Sequence, residues 1–179
     1  MNDRPILAPV LETDRLRLRG PTLADFPACA ALWGDAETVR FIGTGKPSGT
    51  EEAWGKFLRN AGHWSLLGFG YWVVEEKTSG AFAGLVGLSH IKRDIEPPPP
   101  DLPEAGWVFA LEAQGKGYAT EAVGAALAWG ETRFGNAHSF CIIDPDNAPS
   151  LRVAEKCGYA ESARVTYKDH PVILLVRED

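Results

Sequence analysis

Several features that define large classes of protein are missing from this sequence. No run of apolar residues approaches the ~20 that a membrane-spanning helix needs. The first ten residues, MNDRPILAPV, lack the charged start, the long apolar middle and the small-residue cleavage site of a secretory signal. These absences predict a soluble protein that stays in the cytoplasm, without a membrane partner.

Cysteine is scarce and histidine is scattered. The three cysteines, Cys29, Cys141 and Cys157, are an odd number at wide spacing, which favours neither a disulfide framework nor a zinc clip. The four histidines are just as far apart along the chain, and ordinary surface or hydrogen-bonded roles account for them. We therefore expect reduced thiols and no bound metal.

Positive charge is also in short supply. The chain has 18 Lys and Arg residues against 24 Asp and Glu residues, a net charge of -6. Because phosphate backbones and anionic membranes are bound by surplus Lys and Arg, this composition argues against a nucleic-acid partner. On charge alone, a cationic substrate would suit the protein better.

What is present fits one globular domain over residues 1–179. Hydrophobic residues make up 45% of the chain and charged residues 23%, close to average globular usage. This length can bury a core without disulfides or metal. The sequence contains no internal repeat, low-complexity tract or interdomain linker, so nothing in it marks a domain boundary.

The first half of the chain predicts a strand, two helices and a hairpin. Residues 15–19, RLRLR, alternate charged and apolar positions as a half-exposed strand does. Helices are predicted over LADFPACAALW and EEAWGKFLRNAGHW. Two aromatic and β-branched runs, joined by a turn at 78–80, predict an antiparallel hairpin. IEPPPPDLP then predicts a loop, because proline offers a sheet no amide hydrogen.

The second half predicts one crossover between parallel strands. EAGWVFAL indicates a strand, EAQGKG a tight loop, and YATEAVGAALAWGETRF a helix that Gly135 ends. A strand over His138–Ile143, a short helix over Pro149–Cys157 and a last apolar strand at VILLV follow. The strand-helix-strand unit must be parallel and right-handed, which together with the hairpin gives a mixed α/β sheet.

The segment with most chemical information is QGKGYA, residues 114–119, between a predicted strand and a predicted helix. The first amides of a helix have no backbone acceptor, and the helix dipole places partial positive charge there. Gly115 and Gly117 let the main chain approach a ligand closely and adopt positive φ. This arrangement favours binding of a pyrophosphate.

The glycine pair is also compatible with other kinds of loop. A nucleoside-triphosphatase loop needs G-x-x-x-x-G-K-S/T, and no such run exists. A dinucleotide fingerprint would use Gly115 and Gly117 but then meets Thr120 in place of a small residue, with Asp144 imitating the ribose-binding acid. Only one crossover is visible where that fold needs several, so it stays the alternative. The glycines could also merely form a turn.

The sequence resembles the GNAT superfamily of acetyl-CoA-dependent N-acetyltransferases. Gln114, Gly117 and Ala119 match the family signature Q/R-x-x-G-x-G/A. TDRLRLR, GFGYWVVEE, EAGW, GKGYATEA and NAPSLRVAEKCGY occur in the family's order over nearly the whole chain. The chain is most similar to the branch that contains the ribosomal-protein N-terminal acetyltransferases.

The resemblance implies a fold and a co-substrate. The expected fold is a single-domain α/β acyl-CoA N-acyltransferase fold, with about four helices around a mixed sheet that is splayed between its fourth and fifth strands. Acetyl-CoA would lie in that gap. The implied contacts to coenzyme A are main-chain groups of Val108, Phe109 and Ala110, the segment Gln114, Gly115, Lys116, Gly117, Tyr118, Ala119 and Thr120, and the side chain of Asn147. Asn147 could instead only cap a helix before Pro149.

Catalysis of acetyl transfer to an amine needs a neutral nucleophile, a polarised thioester carbonyl and a proton for the leaving thiolate. Glu104 is placed to remove the amine proton, unless it is merely a solvated charge beside the proline loop. Many family members carry a tyrosine that acts as the general acid at the position where this chain has Ala154. The nearby Tyr159 is expected to pack against the sheet. Ser150 matches a serine of the ribosomal-protein branch and could hydrogen-bond the thiolate, or be a plain first-turn serine.

The acceptor is the least determined feature of the sequence. Trp33, Phe41, His63 and Trp64 could line an acceptor cleft, although their helical spacing also suits the core. The amine could belong to a protein N-terminus or to a small molecule, and the chain could be a monomer or a homodimer. Since Ala154 replaces the tyrosine, a non-catalytic acyl-CoA or dinucleotide-binding module is the alternative to an enzyme.

Overall fold

The computed structural model describes residues 8–136 and 138–178. The first seven residues, on which the expectation of no secretory signal partly rests, lie outside this range. Within it, the strands are β1 (Leu11–Glu12), β2 (Leu16–Arg19), β3 (Tyr71–Glu76), β4 (Phe82–Ser89), β5 (Glu104–Phe109), β6 (Ser139–Ile143), β7 (Ala160–Tyr167) and β8 (His170–Arg177). The α-helices are α1 (Phe26–Gly34), α2 (Ala36–Val39), α3 (Thr50–Leu67), α4 (Tyr118–Phe134) and α5 (Ala148–Lys156).

The eight strands form one mixed sheet in the order β1-β2-β3-β4-β5-β6-β8-β7. Strands β5 and β6 are parallel, and every other neighbouring pair is antiparallel. The parallel pair is joined by α4, as the crossover in the sequence predicts. The α/β class, the hairpin of β3 and β4, and the proline-rich connection before β5 are confirmed.

Three local features go beyond what the sequence predicts. Four of the α-helices match the expected number, and the fifth is the single-turn helix α2, which starts where Asp35 accepts a hydrogen bond from the Thr38 amide. The short strand β1 precedes the predicted first strand. Strand β7 was not predicted either, because it is an edge strand whose side chains are exposed or half-buried, so it lacks an apolar run.

Pairing between β5 and β6 is confined to one end of each strand. In the described part of the chain, Glu104 and Phe140 are the only residues in register between them, and the Phe140 amide donates to the Pro103 carbonyl at 3.1 Å. Strand β5 pairs with β4 along its whole length. These are the fourth and fifth strands of the expected core, so the main-chain groups of β5 beyond Glu104 on this side face a gap in the sheet.

Helices pack on both faces of the sheet. On one face, the ring of Trp72 in β3 contacts Trp64 of α3 at 4.7 Å and Trp129 of α4 at 5.1 Å between centroids, both edge to face. On the other face, Phe57 of α3 packs in a cluster with Val108 of β5. These contacts hold α3 and α4 rigidly against β3 and β5. None of the described helices is long and apolar enough to cross a membrane.

Candidate active site

The loop between β5 and α4 has the geometry of an anion site. Gly115 and Gly117 both adopt positive φ, 74° and 79°, which glycine tolerates without strain. Gly117 is the N-cap residue of α4, and no side chain caps the helix start. The amides of the first turn are therefore left for a ligand to satisfy. The Gln114 side chain donates to the Phe109 carbonyl at 2.9 Å and so folds the loop back onto β5.

Arg15 ties this loop to the start of β2. Its Nη1 donates to the Lys116 carbonyl at 2.8 Å, and its Nε and backbone amide donate to the Glu121 carboxylate at 2.7 and 2.9 Å. Burial acts to raise the pKa of Glu121, but hydrogen bonds from Thr13 and Arg15 outweigh it and lower that pKa. An ionised Glu121 paired with Arg15 adds no unbalanced negative charge at the helix start.

Tyr118 supports the loop from below. Its ring is buried, with the guanidinium of Arg15 4.8 Å and the ammonium of Lys116 5.7 Å from the ring centroid. Its hydroxyl donates to the Glu76 carboxylate on β3. Lys116 thus adds positive charge beside the first turn of α4, where it favours an anionic ligand, whereas the charge of Arg15 is balanced by Glu121. Sequence reasoning did not single out Arg15, because its partners are about a hundred residues away along the chain.

A cavity of about 260 Å³ lies beside the gap between β5 and β6. Its lining brings together seven residues that the sequence singled out: Trp33, Phe41, His63, Glu104, Val108, Asn147 and Ser150. The lining does not include Phe109, Ala110 or the loop over 114–120, which continue from the far end of β5. The cavity therefore lies along β5, and the loop follows from the carboxyl end of the same strand.

Trp64 does not line this cavity, so its expected role in an acceptor cleft is wrong. The side chain is only 4% exposed and packs against Trp72 and Trp129 in the core. Its Nε1 donates to the Tyr71 carbonyl at 2.9 Å. The apolar ring of Trp64 is thus packed, and its N–H is hydrogen-bonded, inside the core. The helical spacing of the aromatic residues is compatible with this core position.

Glu104 lies on the cavity wall as a buried, paired carboxylate. It is 3% exposed, and Arg93 donates to its two oxygens from Nε at 2.7 Å and Nη2 at 2.5 Å. A solvated charge beside the proline loop, the plainer interpretation, is therefore wrong. The Arg93 guanidinium also lies 4.8 Å from the ring centroid of Tyr167, which links the pair to the hairpin of β7 and β8.

Tyr71 is a cavity residue that sequence reasoning missed. Its hydroxyl lies against Gly106 of β5 so closely that a Cβ at position 106 would be 1.8 Å from the oxygen. Burial raises the pKa of Tyr71, with the charge of Glu104 adding to this and that of Arg93 opposing it. A neutral hydroxyl at the cavity floor can donate a hydrogen bond. The available signal was a glycine inside a predicted strand, which marks a close approach.

The start of α5 carries the two remaining cavity residues. The Asn147 side chain accepts a hydrogen bond from the Ser150 amide at 3.2 Å, so Asn147 is an N-cap, as one interpretation of the sequence predicts.

Ala154, the residue at the position where many family members carry a tyrosine, is completely buried. Tyr159 packs in the core as expected, with its hydroxyl 2.7 Å from Ser139 Oγ. Among the described residues, no three metal-binding side chains lie close enough to hold an ion.

Comparison with known proteins assigns the family. The family described as the acetyltransferase (GNAT) domain matches residues 15–160. Since that is most of the chain and includes the loop and most of the cavity, the chain belongs to the GNAT acetyltransferase family. It is an acyltransferase, as the motif at residues 114–119 predicts.

Individual relatives agree with this assignment. The uncharacterized protein YkkB of Bacillus subtilis (strain 168) is 31% identical over 171 residues, covering 94% of this chain and 95% of the relative. The crystal structure of an acetyltransferase from Agrobacterium tumefaciens str. C58 superposes with a TM-score of 0.80 at 26% identity, covering 96% and 95% of the two chains. The ribosomal-protein acetyltransferase RimL, in complex with coenzyme A, shares the fold with a TM-score of 0.74 at 16% identity, covering 95% and 98%.

The position of Arg15 leads to a first prediction. Arg15→Gln should speed amide hydrogen exchange over residues 115–121 by roughly tenfold, because about 1–2 kcal/mol of charge-assisted hydrogen bonding to Lys116 and Glu121 is lost. Exchange followed by mass spectrometry measures this. Arg17→Gln is the matched control, since Arg17 is an exposed arginine of β2, two residues further along the chain, that pairs with Glu12 instead. Equal exchange in the two variants would contradict the role of Arg15.

Proposed function

We propose that this chain transfers the acetyl group of acetyl-CoA to a primary amine, by direct attack of the amine in a ternary complex. The observation that carries the proposal is the gap between β5 and β6, with an uncapped helix start at its far end and a cavity beside it. A pyrophosphate bound at one place and an amine at the other would meet along β5. The related fold of RimL, which binds coenzyme A, supports this arrangement.

The residues present fit coenzyme A. Main-chain amides from Gly115 to Thr120, with Lys116 beside them, supply donors and positive charge for the pyrophosphate. Main-chain groups of Val108 and Phe109 would hydrogen-bond the pantetheine amides, as a further strand would. Ala110 does not fit this role, because its amide already donates to the Ala83 carbonyl and its carbonyl accepts from the Ala113 amide. The Phe109 carbonyl likewise already accepts from Gln114. Gln114 and Tyr118 act indirectly by holding the loop, and Ala119 keeps the first turn of α4 free of bulk.

The acceptor amine must lose a proton, and Glu104 is the carboxylate we assign to this task. An alkyl ammonium has a pKa near ~10, so a base is needed at neutral pH. Arg93 donates to both carboxylate oxygens of Glu104, and each oxygen retains a second lone pair beyond its bond to Arg93. Trp33, Phe41 and His63, on the facing side of the cavity, would contact the body of the acceptor.

Asn147 and Ser150 are assigned to the thioester end of the reaction. The N-cap bond of Asn147 to the Ser150 amide orients the first turn of α5 toward the cavity. A serine hydroxyl is a poor proton donor in water, so its contribution would be a hydrogen bond to the sulfur as negative charge develops. Water would then supply the proton.

A non-catalytic binding module is the second candidate, favoured by Ala154 in place of a tyrosine. The dinucleotide alternative loses its basis, because the described sheet contains one parallel pair where a doubly wound fold needs several. Turnover of acetyl-CoA, scored by free thiol release against N-terminal peptides, polyamines, amino acids and aminoglycosides, separates enzyme from module. We expect turnover with at least one class. Tight coenzyme A binding with no turnover on any amine would favour the module.

The base assignment leads to a second prediction. Glu104→Gln should lower kcat/KM most at low pH, where the amine most needs deprotonation, while affinity for coenzyme A stays near wild type. A pH–rate profile is the measurement. Because Arg93 would lose its buried partner, thermal unfolding of the variant must also be followed. A folded variant that matches wild type across the pH range would place the base elsewhere.

The serine assignment leads to a third prediction. Ser150→Ala should lower kcat by roughly tenfold to a hundredfold, about 1.4–2.7 kcal/mol, with little change in KM for either substrate, because the hydrogen bond acts mainly in the transition state. Steady-state kinetics test this. Tyr159→Phe is the control, since Tyr159 is a buried hydroxyl outside the cavity. A larger loss in a folded Tyr159→Phe than in Ser150→Ala would remove the assignment.

A further inference from the structure

The charge on the cavity wall is opposite to that of the whole protein. Of the charged residues that line the cavity, five are cationic, namely Lys46, Lys56, Arg59, Arg93 and Lys168. Three are anionic, namely Glu52, Glu104 and Asp144. The complete chain carries a net charge of -6. A positive site inside a negative protein selects for the charge of its ligand.

Ion pairs within the fold use up two of the three carboxylates. Glu104 is bound by Arg93 at 2.5 Å, and Glu52 by Lys56 at 2.9 Å. The third, Asp144, accepts the Asp146 amide at 2.8 Å in the turn between β6 and α5. Among the described residues, Asp144 is therefore the one cavity carboxylate without an ion-pair partner, and the cavity cations without one outnumber it.

Three of the cations remain. In the described part of the chain, Lys46 and Arg59 have no ion-pair partner, and Lys168 lies over the Tyr167 ring at 5.5 Å. The charge of Arg59 opposes the rise that burial causes in the pKa of Tyr71, so it acts on the cavity floor. Lys168 adds to the effect of Lys56 in lowering the pKa of Glu52, so the β7–β8 turn faces α3 across the cavity.

We propose that the acceptor is an amine that also carries a carboxylate, held by Arg59 with help from Lys46 and Lys168. This inference rests on the proposed acetyl transfer and names the class of its acceptor. A guanidinium binds a carboxylate through two parallel hydrogen bonds, which would fix the acceptor with its amine toward Glu104. A polyamine, by contrast, would bring a second positive charge to three cations.

Coenzyme A does not account for these cations. Its pyrophosphate has main-chain donors and Lys116 at the loop over 114–120, outside the cavity lining. Arg59 and Lys46 lie on α3 and on the segment before it, and Lys168 on the β7–β8 turn, all on the side of the cavity that α5 does not form. The carboxylate could belong to a free amino acid or to an acidic peptide N-terminus, and both present the same chemistry.

Matched acceptor pairs test the proposal by kcat/KM. Leucine is compared with leucine amide, and an amidated tetrapeptide with Glu at its second position with the same peptide carrying Gln, with spermidine alongside. We expect the carboxylate member of at least one pair to be favoured by roughly tenfold, and the favoured pair identifies the source. The preference should shrink in high salt, since Lys46, Arg59 and Lys168 are all exposed.

Variants locate the selection. Arg59→Gln should abolish the preference without raising KM for acetyl-CoA, whereas Arg133→Gln, an exposed arginine on α4 far from the cavity, should keep it. Spermidine or the neutral members reacting as well as the acids, or a raised KM for acetyl-CoA in Arg59→Gln, would overturn the proposal. If no amine turns over, calorimetry with N-acetylleucine and its amide still decides it. Equal affinity for the two would contradict charge selection. Tighter binding of the acid would support charge selection, and only the proposal of acetyl transfer would then have failed.

Discussion

The constraint on which the site depends is the single point of contact between β5 and β6. Because the two strands are in register only at Glu104 and Phe140, the sheet stays continuous while most of β5 lacks a neighbour on that side. On that side β5 runs from the cavity toward the loop that starts α4. Helices α3 and α4 pack against β3 through the tryptophan contacts.

Charge is distributed unequally along that line. At the paired end, Arg93 neutralises Glu104, and further cations stand around the cavity. At the far end, Arg15 neutralises Glu121 and leaves the helix dipole and Lys116 to attract an anion. Each arginine pairs with a carboxylate on a different element of the fold: Arg15 with Glu121 of α4, and Arg93 with Glu104 of β5. An arginine–carboxylate pair therefore lies at both of the proposed binding sites.

Much of this fold follows from local sequence signals, and much of the site does not. The loop at residues 114–120 was predicted because helix starts and glycines have local consequences, and Asn147 because an N-cap needs only its own helix. The single-turn helix α2 and the edge strand β7 were missed, since a one-turn helix and an edge strand have weak sequence patterns. Arg15, Arg93 and Tyr71 could not be found, because their importance comes from tertiary contacts. Trp64 was misassigned because helical spacing does not tell a core face from a cleft.

Whole-chain charge was the weakest guide to the acceptor, because a net value hides which charges are paired and where they lie. A crystal structure with coenzyme A tests the central claim most directly, since it locates the anion and the sulfur together. The account predicts the pyrophosphate oxygens within hydrogen-bond distance of amides in 115–120, and the sulfur in the cavity beside Ser150. A pyrophosphate bound instead by Lys46 and Arg59 would contradict both the cofactor loop and the charge selection of the acceptor.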